Sequence, residues 1–200
     1  MGSSVSDLTI KEFFDEASST WDDHESTPKE KIDALLSRLG IRKGDRVLDL
    51  ACGTGVISKR LQALSSCPIV AIDLSEKMIE KAKAKYEGDE SIRFEACDFL
   101  DFKETGFDWI VCYNAFPHFL DIPSFVKEAN ETLNEDGKLA ILHSFGRRHL
   151  NEFHHDGEAR RISRNLLSPE EEAKPFEGFF DMVDRQDDEN AYLLVLRKRK

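Results

Sequence analysis

A doubly wound α/β sheet, mostly parallel and ending in a C-terminal antiparallel hairpin, is the fold class this sequence predicts. Three observations predict it. Five short apolar runs alternate with helical patterns, as strands joined by helical crossovers do. Ile69 to Ile72, Trp109 to Cys112 and Leu139 to Leu142 are continuously apolar, which suits strands covered on both faces. Near the end the pattern changes to an apolar run, a charged turn and a second apolar run.

The elements follow in order. Pro28 to Leu39 places Ile32, Leu35, Leu36 and Leu39 at helical spacing. Val47 to Leu50 is the first strand, entered through the turn Lys43-Gly44-Asp45. Val56 to Leu64 is the helix after a glycine turn. Ile69 to Ile72 is the second strand, and Ser75 caps a helix through Tyr86. Ile92 to Ala96 and Trp109 to Cys112 are the third and fourth strands. Pro123 to Leu133 is a helix, after which Gly137 is expected to break the chain before a fifth strand, Leu139 to Leu142. Phe179 to Val183 and Ala191 to Leu196 form the hairpin, with Asp184 to Asn190 as its turn. One domain results: 1–27 an N-terminal lid, 28–145 the ligand-binding core, 146–175 a second lid, 176–200 the hairpin.

Composition narrows the function. The chain has 200 residues, 40% of them hydrophobic, enough for one well-buried core. Its formal net charge of −11 disfavours phosphate backbones, so no nucleic-acid partner is expected. No apolar run is long enough to cross a bilayer, and the first residues lack the basic and apolar regions of a secretory leader. Cys52, Cys67, Cys97 and Cys112 form no CxxC pair and read as reduced thiols of a cytoplasmic protein.

The most informative stretch is Asp49-Leu50-Ala51-Cys52-Gly53-Thr54-Gly55, where a strand runs into a glycine turn that opens a helix. Asp73 ends the second strand, twenty residues after Gly53, where a carboxylate can accept from both hydroxyls of a ribose. Asp98 follows the third strand, within reach of an adenine edge. Asp49 precedes the turn, where it suits an ammonium group and repels a pyrophosphate. That opposes NAD and FAD, whose phosphates want a bare helix N-terminus. Ser58 also stands where GxGxxG has its third glycine, and no Lys-Ser/Thr pair follows, which excludes a P-loop.

An amino-acid head, a ribose and an adenine together make S-adenosylmethionine. The sequence resembles the class I S-adenosylmethionine-dependent methyltransferases, in particular the small-molecule, quinone C-methyltransferase-like group. The resemblance rests on the glycine turn, on Asp73-Leu74-Ser75 with Met78, on Asp98-Phe99, and on Asn114-Ala115-Phe116-Pro117-His118. Phe13-Phe14-Asp15-Glu16 and Trp21-Asp22 resemble the leading segment of such enzymes. It implies a Rossmann-like seven-stranded sheet. It also implies that Asp49, Gly53, Thr54 and Gly55, with the backbone of Ala51 and Cys52, hold the methionine part. Asp73 would take the ribose, with Leu74 and Met78 against the adenine; Asp98 and the Phe99 N–H would take its edge; Asn114 and Ala115 would lie beside the methyl.

The acceptor is expected to be a small molecule. The Asn-Pro-Pro-aromatic motif of nucleic-acid amino methyltransferases is absent, since Asn114-Ala115-Phe116-Pro117 stands in its place. His118 and His143 each follow a strand at the carboxyl edge and are the candidate catalytic residues. Phe116, His149 and His154 are candidate substrate contacts, and the histidine spacing shows no metal set. Arg147, Arg148, Arg160, Arg161 and Arg164 either attract an anionic acceptor or pair with Glu152, Asp156 and Glu158 on a solvated face, and pairing is the favoured expectation. A nicotinamide-dependent oxidoreductase and a cofactor-binding regulatory protein without turnover are the competing functions. A monomer or homodimer is expected.

Overall fold

The computed structural model describes residues 9–24, 27–155 and 161–200. The elements in chain order are α1 (Ile10–Ala17), α2 (Trp21–His24), α3 (Lys29–Leu39), β1 (Val47–Leu50), α4 (Ser58–Ser65), β2 (Ile69–Asp73), α5 (Glu76–Lys85), β3 (Ile92–Ala96) and β4 (Phe107–Tyr113). Then come α6 (Ile122–Thr132), β5 (Leu133–His143), α7 (Arg147–His155), α8 (Pro169–Ala173), β6 (Phe180–Asp187) and β7 (Tyr192–Lys198). They build one seven-stranded sheet in the order β3-β2-β1-β4-β5-β7-β6. β1 to β5 run parallel, and β7 is antiparallel to both β5 and β6. This is the doubly wound, Rossmann-like sheet with a terminal hairpin that the alternating pattern predicts.

The strands are apolar on both sides because both faces are covered. Successive side chains point to opposite faces. Leu48, Leu50, Ile110, Cys112 and Ile141 meet Phe116, Phe125, Val126 and Phe176 on one face. Val47, Ala71, Val111 and Leu142 meet Ile32, Leu36, Leu61 and Ile79 on the other. The first face is dominated by phenylalanine: Phe125 packs against Phe99, Phe116 and Phe119 at ring distances of 5.1, 5.3 and 4.8 Å.

Two boundaries differ from the sequence expectation. Gly137 does not precede β5 but lies inside it. Phe107 pairs with Leu133, and the next register is Trp109 with Lys138, so residues 134–137 form a bulge. A Cβ on Gly137 would sit 2.8 Å from the Asn134 carbonyl oxygen, which is why only glycine fits. The hairpin strands are also longer than their apolar residues suggest, with Asp187 paired to Tyr192. Edge strand β6 faces solvent, so charged side chains lengthen it without burial. The turn shrinks to residues 188–191, where Asp188 Oδ1 accepts from Asn190 and Ala191 N–H at 2.8 and 3.0 Å.

Within 146–175, Ile162, Leu166 and Ala173 are buried, and Leu166 and Ala173, with Phe176 just beyond, extend the phenylalanine face. Among the described residues, three arginines of this stretch pair with carboxylates other than those expected: Arg147 with Asp187, Arg148 with Glu189 and Arg164 with Glu172.

Phe125 is 1% exposed and central to its cluster. Phe125→Ala is expected to cost about 3–5 kcal/mol through lost transfer energy and a cavity. Urea denaturation measures this; a loss under ~1 kcal/mol would show that the ring cluster adds little.

Candidate active site

The sheet order reverses between β1 and β4, and open α/β sheets bind ligands at the carboxyl edge of such a point. A cavity of about 300 Å³ opens there, at the small end of the range for ligand sites.

Its floor is the turn after β1. Ala51 leaves the strand at φ 56°, in the left-handed region that costs an L-residue roughly 1–2 kcal/mol. Gly53 N–H then donates to Asp73 Oδ2 at 2.8 Å, while Ser75 N–H donates to Asp73 Oδ1 at 2.8 Å. Burial pushes the Asp73 carboxyl up, against the pull of these two N–H donors. Each oxygen keeps a further lone pair for a ligand hydroxyl. Leu74, Met78, Asp98 and Phe99 continue the wall, and Asp98 Oδ1 accepts the Leu100 N–H at 3.0 Å.

The end of β4 forms the opposite wall. Asn114 sits at φ 53°. Its Oδ1 accepts the Ser144 N–H at 2.9 Å and its Nδ2 donates to Ser144 Oγ at 3.1 Å, tying β4 to the end of β5. Asn114, Ala115 and His118 all line the cavity.

Residues of the N-terminal segment close one side. Ile10, Phe14 and Trp21 line the cavity. The segment is held by polar contacts to cofactor-side elements. Ser75 Oγ donates to Asp15 Oδ1 at 2.5 Å, and Thr54 Oγ1 donates to Asp22 Oδ1. Lys85 pairs with Asp22 at 3.3 Å, and Lys81 Nζ donates to the Ser19 carbonyl at 3.2 Å.

Of the residues singled out in the sequence, Ala51, Cys52, Gly53, Asp73, Leu74, Met78, Asp98, Phe99, Asn114, Ala115 and His118 are brought together around this cavity. Six others are not. Asp49 shares the Val47 face of β1, so it points away behind the turn, where Ser58 Oγ donates to its Oδ2 at 2.6 Å. It is 1% exposed, and burial pushes its carboxyl up to about 7. Thr54 is buried against Asp22. Gly55, at φ 81°, is a packing glycine: a Cβ would lie 2.9 Å from the Tyr86 ring and 3.1 Å from Phe94. Phe116 is fully buried in the phenylalanine face. His143, on strand β5 opposite Tyr192, is 1% exposed and packs against the Tyr192 ring at 5.9 Å. His149 is exposed on α7, against Phe145. The His154 side chain lies outside the described residues, as does Arg160. No described residue of the 146–175 stretch lines the cavity. Tyr113, Leu120 and Phe125 also line the cavity although the sequence offered no sign of it. Apolar residues at core spacing carry no mark that a cavity ends over them.

Comparisons with known proteins show the family to which the chain belongs. The methyltransferase domain family model matches residues 41–173. The chain therefore belongs to that family, within the class I S-adenosylmethionine-dependent methyltransferases. It is 29% identical over 130 residues to 27-O-demethylrifamycin SV methyltransferase of Amycolatopsis mediterranei, covering 60% of this chain and 48% of that one. It is 29% identical over 112 residues to demethylmenaquinone methyltransferase of Staphylococcus aureus, covering 54% and 46%. The chain thus spans about half the length of these curated relatives. In fold it is similar to the N-methyltransferase NodS of Bradyrhizobium japonicum, in complex with S-adenosyl-L-homocysteine. The TM-score there is 0.74 at 17% identity, covering 95% of this chain and 98% of that one.

Asp73→Asn keeps one acceptor and loses the charge. S-adenosylhomocysteine affinity by calorimetry is expected to fall roughly 10–100-fold, the worth of charge-assisted hydrogen bonds; unchanged affinity would remove Asp73 from the site. Asp49 yields a pH prediction. Its folded carboxyl is raised from an ordinary 3.8 to about 7, so its contribution to stability is full at acid pH and lost as pH rises through 7. Asp49→Asn removes that loss. The stability gap between variant and wild type should widen from pH 5 to pH 8 by roughly 3 kcal/mol, most of it below pH 7; a gap that stays flat would show that Asp49 titrates normally.

Proposed function

We propose that this chain transfers a methyl group from S-adenosylmethionine to a small-molecule acceptor. The observation that carries this is the single cavity in which Asp73 and Asp98 stand on one side and Phe14, Trp21, His118 and Phe119 on the other. Two carboxylates beside apolar surface suit a ribose and an adenine. An aromatic wall facing them suits an acceptor held dry and close.

Asp73 takes the ribose hydroxyls, and Asp98 with the Phe99 N–H takes the adenine edge. Leu74 and Met78 pack against the adenine plane. The backbone of Ala51, Cys52 and Gly53 receives the methionine part, and Asn114 and Ala115 line the place of transfer. The bound cofactor supplies a methyl group made electrophilic by its sulfonium. The protein orients the acceptor along the line of displacement and excludes water. His118 accepts a proton from the acceptor, or a hydrogen bond that aligns it.

The cavity volume of about 300 Å³ supports a small acceptor. 27-O-demethylrifamycin SV and demethylmenaquinone are the small molecules in the names of two relatives. The net charge of −11 speaks against nucleic acid, and four free cysteines suit a reducing, cytoplasmic compartment. No helix among the described residues is long and apolar enough to cross a membrane.

Methyl-labelled cofactor incubated with the protein and a metabolite extract tests the proposal. Label is expected in a small organic product. His118→Gln should lower that turnover roughly 100-fold while S-adenosylhomocysteine affinity changes by less than about twofold. Tight cofactor binding with no labelled product would favour a protein without turnover, and label confined to protein or nucleic acid would overturn the small acceptor.

A further inference from the structure

The short helical turn Phe116–His118 and the next residue carry His118 and Phe119 to the cavity. Behind them runs the segment 162–167. Arg164 joins the two. Its backbone N–H donates to the Pro117 carbonyl at 2.9 Å, its Nε donates to the Phe119 carbonyl at 3.3 Å, and its guanidinium lies 4.8 Å above the Phe116 ring. His118 Nδ1 lies 3.1 Å from the Ile162 carbonyl oxygen, with Ser163 Oγ at 3.3 Å. A carbonyl oxygen only accepts, so Nδ1 carries the proton of the neutral ring and Nε2 is its acceptor nitrogen.

The strut is itself anchored. Glu172, 2% exposed, takes both terminal nitrogens of Arg164 at 2.6 and 2.9 Å and also the Leu167 N–H at 2.8 Å. Asn151 of α7 holds Leu166 from the other side, donating to its carbonyl at 2.9 Å and accepting its N–H at 2.8 Å. A buried ion pair is a poor source of stability, because desolvation offsets most of its attraction. Apolar side chains would fill the same space. They would not direct a donor at the Phe119 carbonyl, which the planar guanidinium fork does while holding a carboxylate.

We propose that Arg164, fixed by Glu172, is a positioning residue for the methyl acceptor: it holds the 116–119 turn so that His118 keeps its Nδ1–H tautomer and presents Nε2 as an acceptor. Neither Arg164 nor Glu172 lines the cavity, so both act through the turn. The role rests on the assignment of His118 proposed above, but it has a readout of its own.

The paired variant Arg164→Met/Glu172→Leu replaces the ion pair with apolar groups, a change that commonly preserves folding. Imidazole nitrogen NMR reads the His118 tautomer, with calorimetry of S-adenosylhomocysteine as control. The paired variant is expected to keep cofactor-product affinity within about twofold while the two His118 nitrogens move toward the averaged shifts of exchanging tautomers. Arg164→Lys, which keeps the charge without the fork, should move them in the same direction. Unchanged His118 nitrogens in both variants would overturn the proposal, as would a loss of cofactor affinity in step with the shift. Wild-type turnover by His118→Gln would overturn the assignment of His118 without moving the tautomer, so the two failures are distinguishable.

Discussion

Asp73 accepts the Gly53 N–H through one oxygen and the Ser75 N–H through the other, and the site is organised around that bridge. One carboxylate thereby joins the turn after β1 to the start of α5. Ser75 extends the link, because its side chain donates to Asp15 while its backbone donates to Asp73. The N-terminal segment is thus tied to the same point as the turn after β1. Asp73 satisfies two backbone donors and still keeps acceptor capacity toward the cavity that it lines.

The two sides of the cavity are held by different physics. At the turn after β1, short hydrogen bonds and a left-handed Ala51 fix the backbone path. Beyond β4, a phenylalanine cluster supplies volume, and the Arg164–Glu172 pair, through the Arg164 bonds to the Pro117 and Phe119 carbonyls, holds the 116–119 turn. Strand parity separates the two chemistries of β1. Leu48 and Leu50 go to the phenylalanine face, whereas Asp49 goes with Val47 to the α4 face, where Ser58 meets it. Asp49 therefore supports the turn from behind.

What was legible in the sequence follows from how local each signal is. The inner strands could be read because fully covered strands are largely apolar over four or five residues, and edge strand β3 because its apolar residues alternate with charged ones. Asp73 and Asp98 could be read because one ends a strand and the other closely follows one at the carboxyl edge, and strand ends are visible in sequence. His143 met the same criterion and failed it, because β7 pairs beside β5 and covers it with Tyr192. Phe116 looked like an acceptor contact from its motif, yet its ring turns into the core between Arg164 and Phe125.

The sequence by itself determined the sheet, its winding and the edge at which the cavity opens, since apolar periodicity and the glycine turn act over a few neighbouring residues. Only the tertiary structure decided which of the marked residues reach the cavity. Asp49, Gly55 and His143 are turned away by strand parity or by a neighbour distant in sequence. Trp21 and Phe14 are brought in by polar bonds to α5 and the glycine turn. The arginines expected to meet carboxylates nearby in sequence found others: Arg147 meets Asp187 and Arg164 meets Glu172. Such partners are chosen by the packing of elements, where a carboxylate buried at 2% exposure must find a cation or remain unpaid in free energy, and no local pattern encodes which cation that is.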